Sequence, residues 1–438
     1  MNAVPLLVAT LLAASAGSAW GLETAGDAVR AAGAPEHGNV RIGVMAPASG
    51  GASGYGMDIM AASRLAVADF NEHLAERGAA WRLVPVYVDS LTDPGAVIPG
   101  LEYLDALEVE VVAGPSIDLF GAEVSALASD RGMLLLSCCS VTLESAIPDD
   151  NLYRMTPNQT HHGIILADIM YEGGKTLVVP VGRNSAWVTD LLESAVERFT
   201  ERGGEAADMV VYDTYGEFGE GLARMNDMVR EAGDALGYDR VAVLYVGFEE
   251  TFDLIRDAAG YGGLAGVQWF GADANTLLHD HPLDAAASVN FTVVQPVSLG
   301  DQRSAALGER LAQELERLPS VYAYQQYDAV WLLGMAILES GRTDTGTLKA
   351  YLDGHPHSGV GGAIAFDGYG DRGSAAYGIW HILDDMWALA DIIDSADGPL
   401  HCLDIVNGQP HFTLEHLQHI FGQEAQPDPD ICGTPAAR

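Results

Sequence analysis

Two adjacent thiols, Cys138 and Cys139, and a set of paired histidines are the residues whose types point most directly to chemistry. A thiolate is both a nucleophile and a soft metal ligand. Three readings of the pair are open: two buried thiols, which is the leading one, a vicinal disulfide, or metal ligands lacking the usual two-residue spacer. A nucleophile needs a base, and His161 or His162 with an aspartate could supply one. No nucleophile elbow surrounds Cys139 and no oxyanion motif is visible, so a hydrolase using Cys139 stands only as a rival class. His161-His162, His279-Asp280-His281, His355-Pro356-His357 and His416-Leu417-Gln418-His419 show neither a helical HExxH nor a paired Cys/His pattern. Solvated surface is the reading for each, and neither metal nor cofactor is expected.

These residues hang on alternating strands and helices. The stretch Arg41 to Gly56 runs from a buried apolar strand (Ile42 to Ala46) through Pro47 into a Ser/Gly loop. From Met57 to Arg77 the apolar residues Ile59, Ala62, Ala66, Phe70 and Leu74 recur every three or four positions, the period of a helix. The loop has neither a P-loop Lys-Ser/Thr nor GxGxxG spacing, so it carries no nucleotide signature. Ligands of open α/β sheets settle outside the carboxyl ends of strands, which makes Tyr55 a wall of a site. Strand-like runs at Trp81–Val88, Val109–Ala113, Met133–Cys138, Thr176–Val181, Met209–Tyr212, Val241–Val246 and Val267–Gly271 alternate with helical stretches, as parallel βαβ units require. After Phe291–Val297 come two helical stretches and two further strands, so the chain returns between two lobes. Several crossings make a hinge, and a hinge over a crevice makes a clamp.

Composition narrows the class. The chain has 438 residues, 48% of them hydrophobic, enough for two or three domains. A formal charge of −39, from 61 acids against 22 bases, argues against nucleic acid, whose phosphates need clustered Lys and Arg. Residues 2–19 read as a secretory signal ending in Gly17-Ser18-Ala19, although no Lys or Arg precedes the apolar Val4–Ala16. Residues 20–38 read as a tether. In an exported chain Cys402 and Cys432 are expected to pair, closing a loop of about 30 residues worth roughly 3 to 4 kcal/mol in the chain-entropy model.

Several short motifs in fixed order resemble one family. They are Ser49-Gly50 … Tyr55-Gly56, Asp89 … Asp93-Pro94 with Ala96, Gly114-Pro115, Tyr327-Asp328-Ala329, and Phe366-Asp367 … Gly370-Asp371-Arg372. From about residue 39 to 385 the chain resembles the branched-chain amino-acid-binding family of ABC transporters. The resemblance implies an α/β fold of two doubly wound parallel-sheet lobes joined by a multi-strand hinge, the type I periplasmic-binding arrangement. Lobe I is expected to comprise 39–156 with 293–362, lobe II 157–292 with 363–394, and 395–438 a C-terminal extension.

The resemblance also implies a ligand site, position by position. Tyr55 matches a tyrosine that closes over the ligand. Asp118 stands where the family has a serine for the ligand's carboxylate. Cys139, Ser140 and Val141, followed by Thr142, occupy the loop after the fourth strand. Ser185 replaces an aromatic residue, with Trp187 two positions on, and Phe248 replaces a tyrosine. Asp273 matches the acid that receives the ligand's ammonium. An ionised Asp118 beside a carboxylate would place like charges in contact, an unfavourable term of about 4 kcal/mol at an effective dielectric of 20. Two alternatives follow: a cationic or neutral polar ligand held by Asp118 and Asp273 between Tyr55, Trp187 and Phe248, or an Asp118 turned aside while backbone N–H groups hold the carboxylate. Arg183 is read as pairing with surface acids.

The expected protein is an exported, monomeric solute-binding protein, periplasmic or cell-surface, and not an enzyme. It clamps a small amino-acid-like ligand and delivers it to an ABC permease. The alternative is a ligand-sensing receptor ectodomain working through a separate membrane protein.

Overall fold

The computed structural model describes residues 38–394 apart from 117–120, 215, 217, 249, 274–281, 298–301, 355, 374 and 384–385, and beyond them only two short strands, 405–406 and 409–410. The expected signal, tether and Cys402–Cys432 pair therefore lie outside the described residues, as does Asp118. The chain divides into two compact units, Met1–Pro157 with Asp301–Gly373 and Asn158–Gly300 with Ser374–Arg438.

The first unit begins with β1 (Gly38–Ala46), α1 (Ser53–Glu76), β2 (Trp81–Asp89), α2 (Pro94–Ala106), β3 (Val111–Ala113), α3 (Ala122–Arg131), β4 (Leu134–Ser137) and β5 (Leu152–Arg154). These strands form one parallel sheet in the order β2-β1-β3-β4-β5. The order reverses between β1 and β3, the topological switch point where such sheets hold ligands. Helices cover both faces, so strands read as continuous apolar runs: Ile42, Val44, Met45 and Ala46 are all fully buried. Met45 packs with Val97, Leu101 and Leu104 of α2 on one face. On the other, Ile42 shares a cluster with Phe70 of α1 and Leu333 and Ile337 of a later helix. Asp93 caps α2 by accepting the Gly95 N–H at 2.9 Å, with Pro94 in the first turn. The helix expected from Met57 begins at Ser53, which brings Tyr55 into its first turn. Gly56 permits this: a Cβ there would meet the Pro47 carbonyl oxygen at 1.9 Å.

The second unit holds α4 (Gln159–Glu172), β6 (Leu177–Arg183), α5 (Ala186–Glu201), β7 (Glu205–Ala206), β8 (Val210–Tyr212), α6 (Gly219–Leu236), β9 (Val241–Val246), α7 (Thr251–Ala258), β10 (Gln268–Gly271), α8 (Asp284–Ser288) and β11 (Thr292–Val297). The chain then re-enters the first unit with α9 (Gln302–Leu315), α10 (Val321–Ser340), α11 (Thr345–Gly354), β12 (His357–Gly359) and β13 (Gly362–Ile364), and ends in the second with β14 (Ala376–Leu383) and β15 (Met386–Asp394). The second sheet runs β15-β14-β11-β10-β9-β6-β7, with β8 also on β6. Its β6, β9, β10 and β11 are parallel, whereas β14 and β15 add on antiparallel, a departure from a purely parallel sheet. Its switch point lies between β6 and β9. Phe199, Leu244 and Phe270 fill the core under α4 and α5, and Tyr245, Met225 and Trp269 the core under α6 and α7.

Both later crossings fall elsewhere than the sequence suggests. β11 was expected in the first lobe, but it pairs with β10 and β14, so the crossing follows residue 300 instead of 292. Residues 363–373 were expected in the second lobe, yet they belong to the first, because Arg372 donates to the carbonyls of Met155 and Gly361 at 3.3 and 3.1 Å.

Candidate ligand-binding faces

The first face is built where β1, β3 and β4 end. After β1 the loop carrying Ser49 is held by the turn after β2: the Ser49 N–H donates to Asp89 Oδ1 (3.2 Å), and Thr92 Oγ1 donates to the Ser49 carbonyl (2.8 Å). The motif Ser49 … Asp89 … Asp93-Pro94 is thus one local brace. Half-buried Tyr55 leans against Tyr322 of α10, ring centroids 5.5 Å apart. After β3 comes a cis Gly114-Pro115 bond, and Ser116 Oγ donates to the Met45 carbonyl at 2.6 Å, tying β3 to β1 across the switch point.

After β4 the structure corrects the leading reading of the cysteines. Cys138 and Cys139 are joined as a vicinal disulfide. Adjacent sulfurs held at one strand end close an eight-membered ring, and no thiol is left for the hydrolase alternative. The disulfide packs with Val44, Ala46, Ile59 and Met60, and Tyr322 lies against the same cluster. Ser137 Oγ donates to the Pro115 carbonyl (2.6 Å) and accepts the Ser140 N–H (3.1 Å). Ser140 is buried, its Oγ 3.5 Å from Ser145 Oγ, while Val141 is half-buried.

The far end of this loop is gripped by a residue that sequence reasoning missed. Arg154, at the end of β5 and fully buried, ion-pairs with Asp371 and donates to the Thr142 carbonyl and to Ser145 Oγ, the last at 3.0 Å. The sequence assigns Asp367 and Asp371 to a turn. Asp367 fits, accepting the N–H groups of Tyr369 and Asp371, but the Asp371 carboxylate instead neutralises Arg154.

The second face lies where β6, β9 and β10 end. Ser185 Oγ caps α5 by accepting the Val188 N–H at 3.4 Å. Trp187, two residues on, meets Phe248 from the end of β9, with centroids 5.4 Å apart. The two rings flank the switch point of this sheet. Arg183 lies over the Phe248 ring, 5.2 Å from its centroid, with Nη1 3.5 Å from Glu250 Oε2. One acid it meets is therefore Glu250, a buried group. Tyr212 donates to Glu250 Oε1 at 2.6 Å and lies 2.7 Å from the Tyr245 hydroxyl. Burial first, and then the neighbouring Tyr245 and Glu250, hold the Tyr212 phenol far above its usual range, so it stays protonated, its one proton on Glu250 and its oxygen left to accept from Tyr245.

Asp273 follows β10 and is nearly buried. It sits close enough to His162 for its charge to pull that imidazole's pKa upward, against a larger lowering by burial. His162 is buried, 2.8 Å from the Val294 carbonyl, which corrects the solvated reading for that residue, whereas its neighbour His161 is half-buried. Among the described residues no group of three or more His, Cys, Asp or Glu side chains could hold a metal ion, and no helix is long and apolar enough to cross a membrane.

Each of the two α/β units thus carries polar and aromatic groups at the carboxyl ends of its central strands. The chain belongs to the periplasmic binding protein family, whose model matches residues 39–384. It is 22% identical over 387 residues to an uncharacterised protein of Methanocaldococcus jannaschii, covering 83% of this chain and 91% of that protein. Its fold is similar to that of the leucine-binding protein LivK of Thermotoga maritima, with a TM-score of 0.67, 16% identity, and 82% and 99% of the two chains covered. A solute-binding protein of an ABC transporter from Rhodopseudomonas palustris, solved with 3,4-dihydroxybenzoic acid, gives a TM-score of 0.67 at 19% identity, covering 82% and 98%. A substrate-binding protein from Desulfitobacterium hafniense in complex with Leu gives 0.65 at 18%, covering 80% and 99%. The resemblance to the branched-chain amino-acid-binding proteins and their type I fold holds.

Proposed function

We propose that this protein is an exported, monomeric solute-binding protein of an ABC importer that clamps a small amino-acid-like ligand, without catalysis. The observation that supports this reading is positional: in each unit the residues singled out from the sequence stand at the carboxyl ends of strands that border that sheet's switch point or lie one strand from it. Tyr55 and the Cys139–Val141 loop do so in the first, and Trp187, Phe248 and Asp273 in the second. Asp273 is the counter-charge for a ligand ammonium. Closure follows from a ligand that touches both lobes and so favours the closed state by those added contacts. Asp118 stays in the proposed site as the residue that sets ligand charge.

A second reading concerns the ligand only. The Trp187–Phe248 pair beside Arg183 also suits an aromatic carboxylate, with the rings stacking on its body. A thermal-unfolding screen with L-leucine, L-isoleucine, L-valine, benzoate, 3,4-dihydroxybenzoate and quaternary ammonium cations separates these ligands. A ligand at about 100 times its dissociation constant adds roughly 2.7 kcal/mol, a shift of several degrees.

A further inference from the structure

We infer that the Cys138–Cys139 disulfide is a reversible redox modification site that sets the ligand affinity of the first face. The affinity half of this inference rests on the proposed function; the structural half does not. The disulfide ring constrains the backbone at the point where β4 becomes the loop 139–145. Around it every anchor is weaker than a covalent bond. The Ser140 N–H donates to Ser137 Oγ at 3.1 Å, and Thr156 Oγ1 donates to the Cys138 carbonyl at 2.7 Å. Ser116 and Ser137 in turn tie β1, β3 and β4 together at the switch point. At its other end the loop is held by the buried Arg154. The segment carrying Ser140 and Val141 is therefore held by hydrogen bonds and a guanidinium that oxidation state does not touch, and by one covalent bond that it does.

The chemistry is thiol–disulfide exchange with a small dithiol. One thiolate of the reductant attacks Sγ of Cys139, the more exposed of the pair, so that the Sγ–Sγ bond breaks and Cys138 leaves as a thiolate that takes up a proton. The second thiol of the reductant then displaces Cys139, releasing a cyclic disulfide. Two electrons and two protons pass to the protein, and the reductant is oxidised by the same amount. The 138–139 backbone dihedrals are then no longer closed in a ring. Freedom regained by about one residue corresponds to about tenfold in affinity. A ligand seated on this face covers Cys139 and slows the exchange.

The test uses the mature protein with and without dithiothreitol, reduction being read as a gain of two hydrogens in the peptide containing Cys138 and Cys139. Amide hydrogen exchange across 139–145 is expected to accelerate on reduction and to recover on reoxidation. L-leucine and benzoate serve as binding probes, and whichever binds the oxidised protein should bind the reduced protein about tenfold more weakly. The C138S/C139S variant should match the reduced protein and be indifferent to dithiothreitol, which excludes effects of the other cysteines. A disulfide that resists dithiothreitol in the folded protein would overturn the inference, as would unchanged exchange in 139–145 after reduction. Unchanged affinity of a bound probe would overturn its affinity half. Binding of neither probe to the oxidised protein counts against the ligand reading alone, and hydrogen exchange then decides the inference.

Discussion

Asp328 shows how a single buried group couples the structure to pH. Its carboxylate accepts the Val360 and Gly361 N–H groups at 2.7 and 2.6 Å, and Arg372 lies close by. Burial outweighs these favourable contacts and pushes its pKa from 3.8 up to about 6. A carboxyl whose folded pKa is raised binds its proton more tightly in the native state. Its contribution to stability is therefore complete below about pH 4 and lost as pH rises through about 6, roughly 3 kcal/mol in all. Denaturant unfolding of the native protein and of Asp328→Asn between pH 4 and 7 should differ by an amount that changes across this window. A pH-independent difference would contradict it. Arg154 makes a second residue-scale prediction. Arg154→Met removes the guanidinium that neutralises the buried Asp371 carboxylate and should destabilise by about 3 to 5 kcal/mol in urea unfolding.

The elements that position the faces were legible where the physics is local. Parallel strands buried on both sides read as apolar runs, as Ile42–Ala46 and Val241–Val246 do. The period of α1 exposed its buried stripe, including Phe70, which meets Trp331 of α10 edge-on at 5.2 Å. Phe70→Ala should cost about 3 to 5 kcal/mol by leaving a cavity between the two helices, measurable in the same unfolding assay. What the sequence concealed is non-local or too short. β5 has three residues, below any periodic signal, and the Arg154–Asp371 pair spans 217 positions. Adjacent cysteines give the same sequence whether oxidised or reduced, so their bond emerged only from the structure. Nothing in the composition of Thr292–Val297 said which sheet it would join. The strand-end placement of Tyr55, Trp187, Phe248 and Asp273 was legible, whereas the use of Ser185 Oγ as a helix cap was not.

At the scale of the whole molecule, a formal charge of −39 makes self-repulsion a term in stability. Raising ionic strength from about 0.01 M to 1 M shortens the screening length roughly tenfold and should raise the unfolding midpoint. The central claim is that this family member binds a small amino-acid-like ligand through its two faces. Asp273→Ala should weaken that binding by several kcal/mol if the carboxylate meets a buried ammonium. The most direct measurement is the thermal-unfolding screen of the mature protein, run beside Asp273→Ala. The account predicts a shift of several degrees with one small amino acid or polar amine and its loss in the variant. A protein whose midpoint no such ligand moves, or a shift that Asp273→Ala leaves intact, would contradict it.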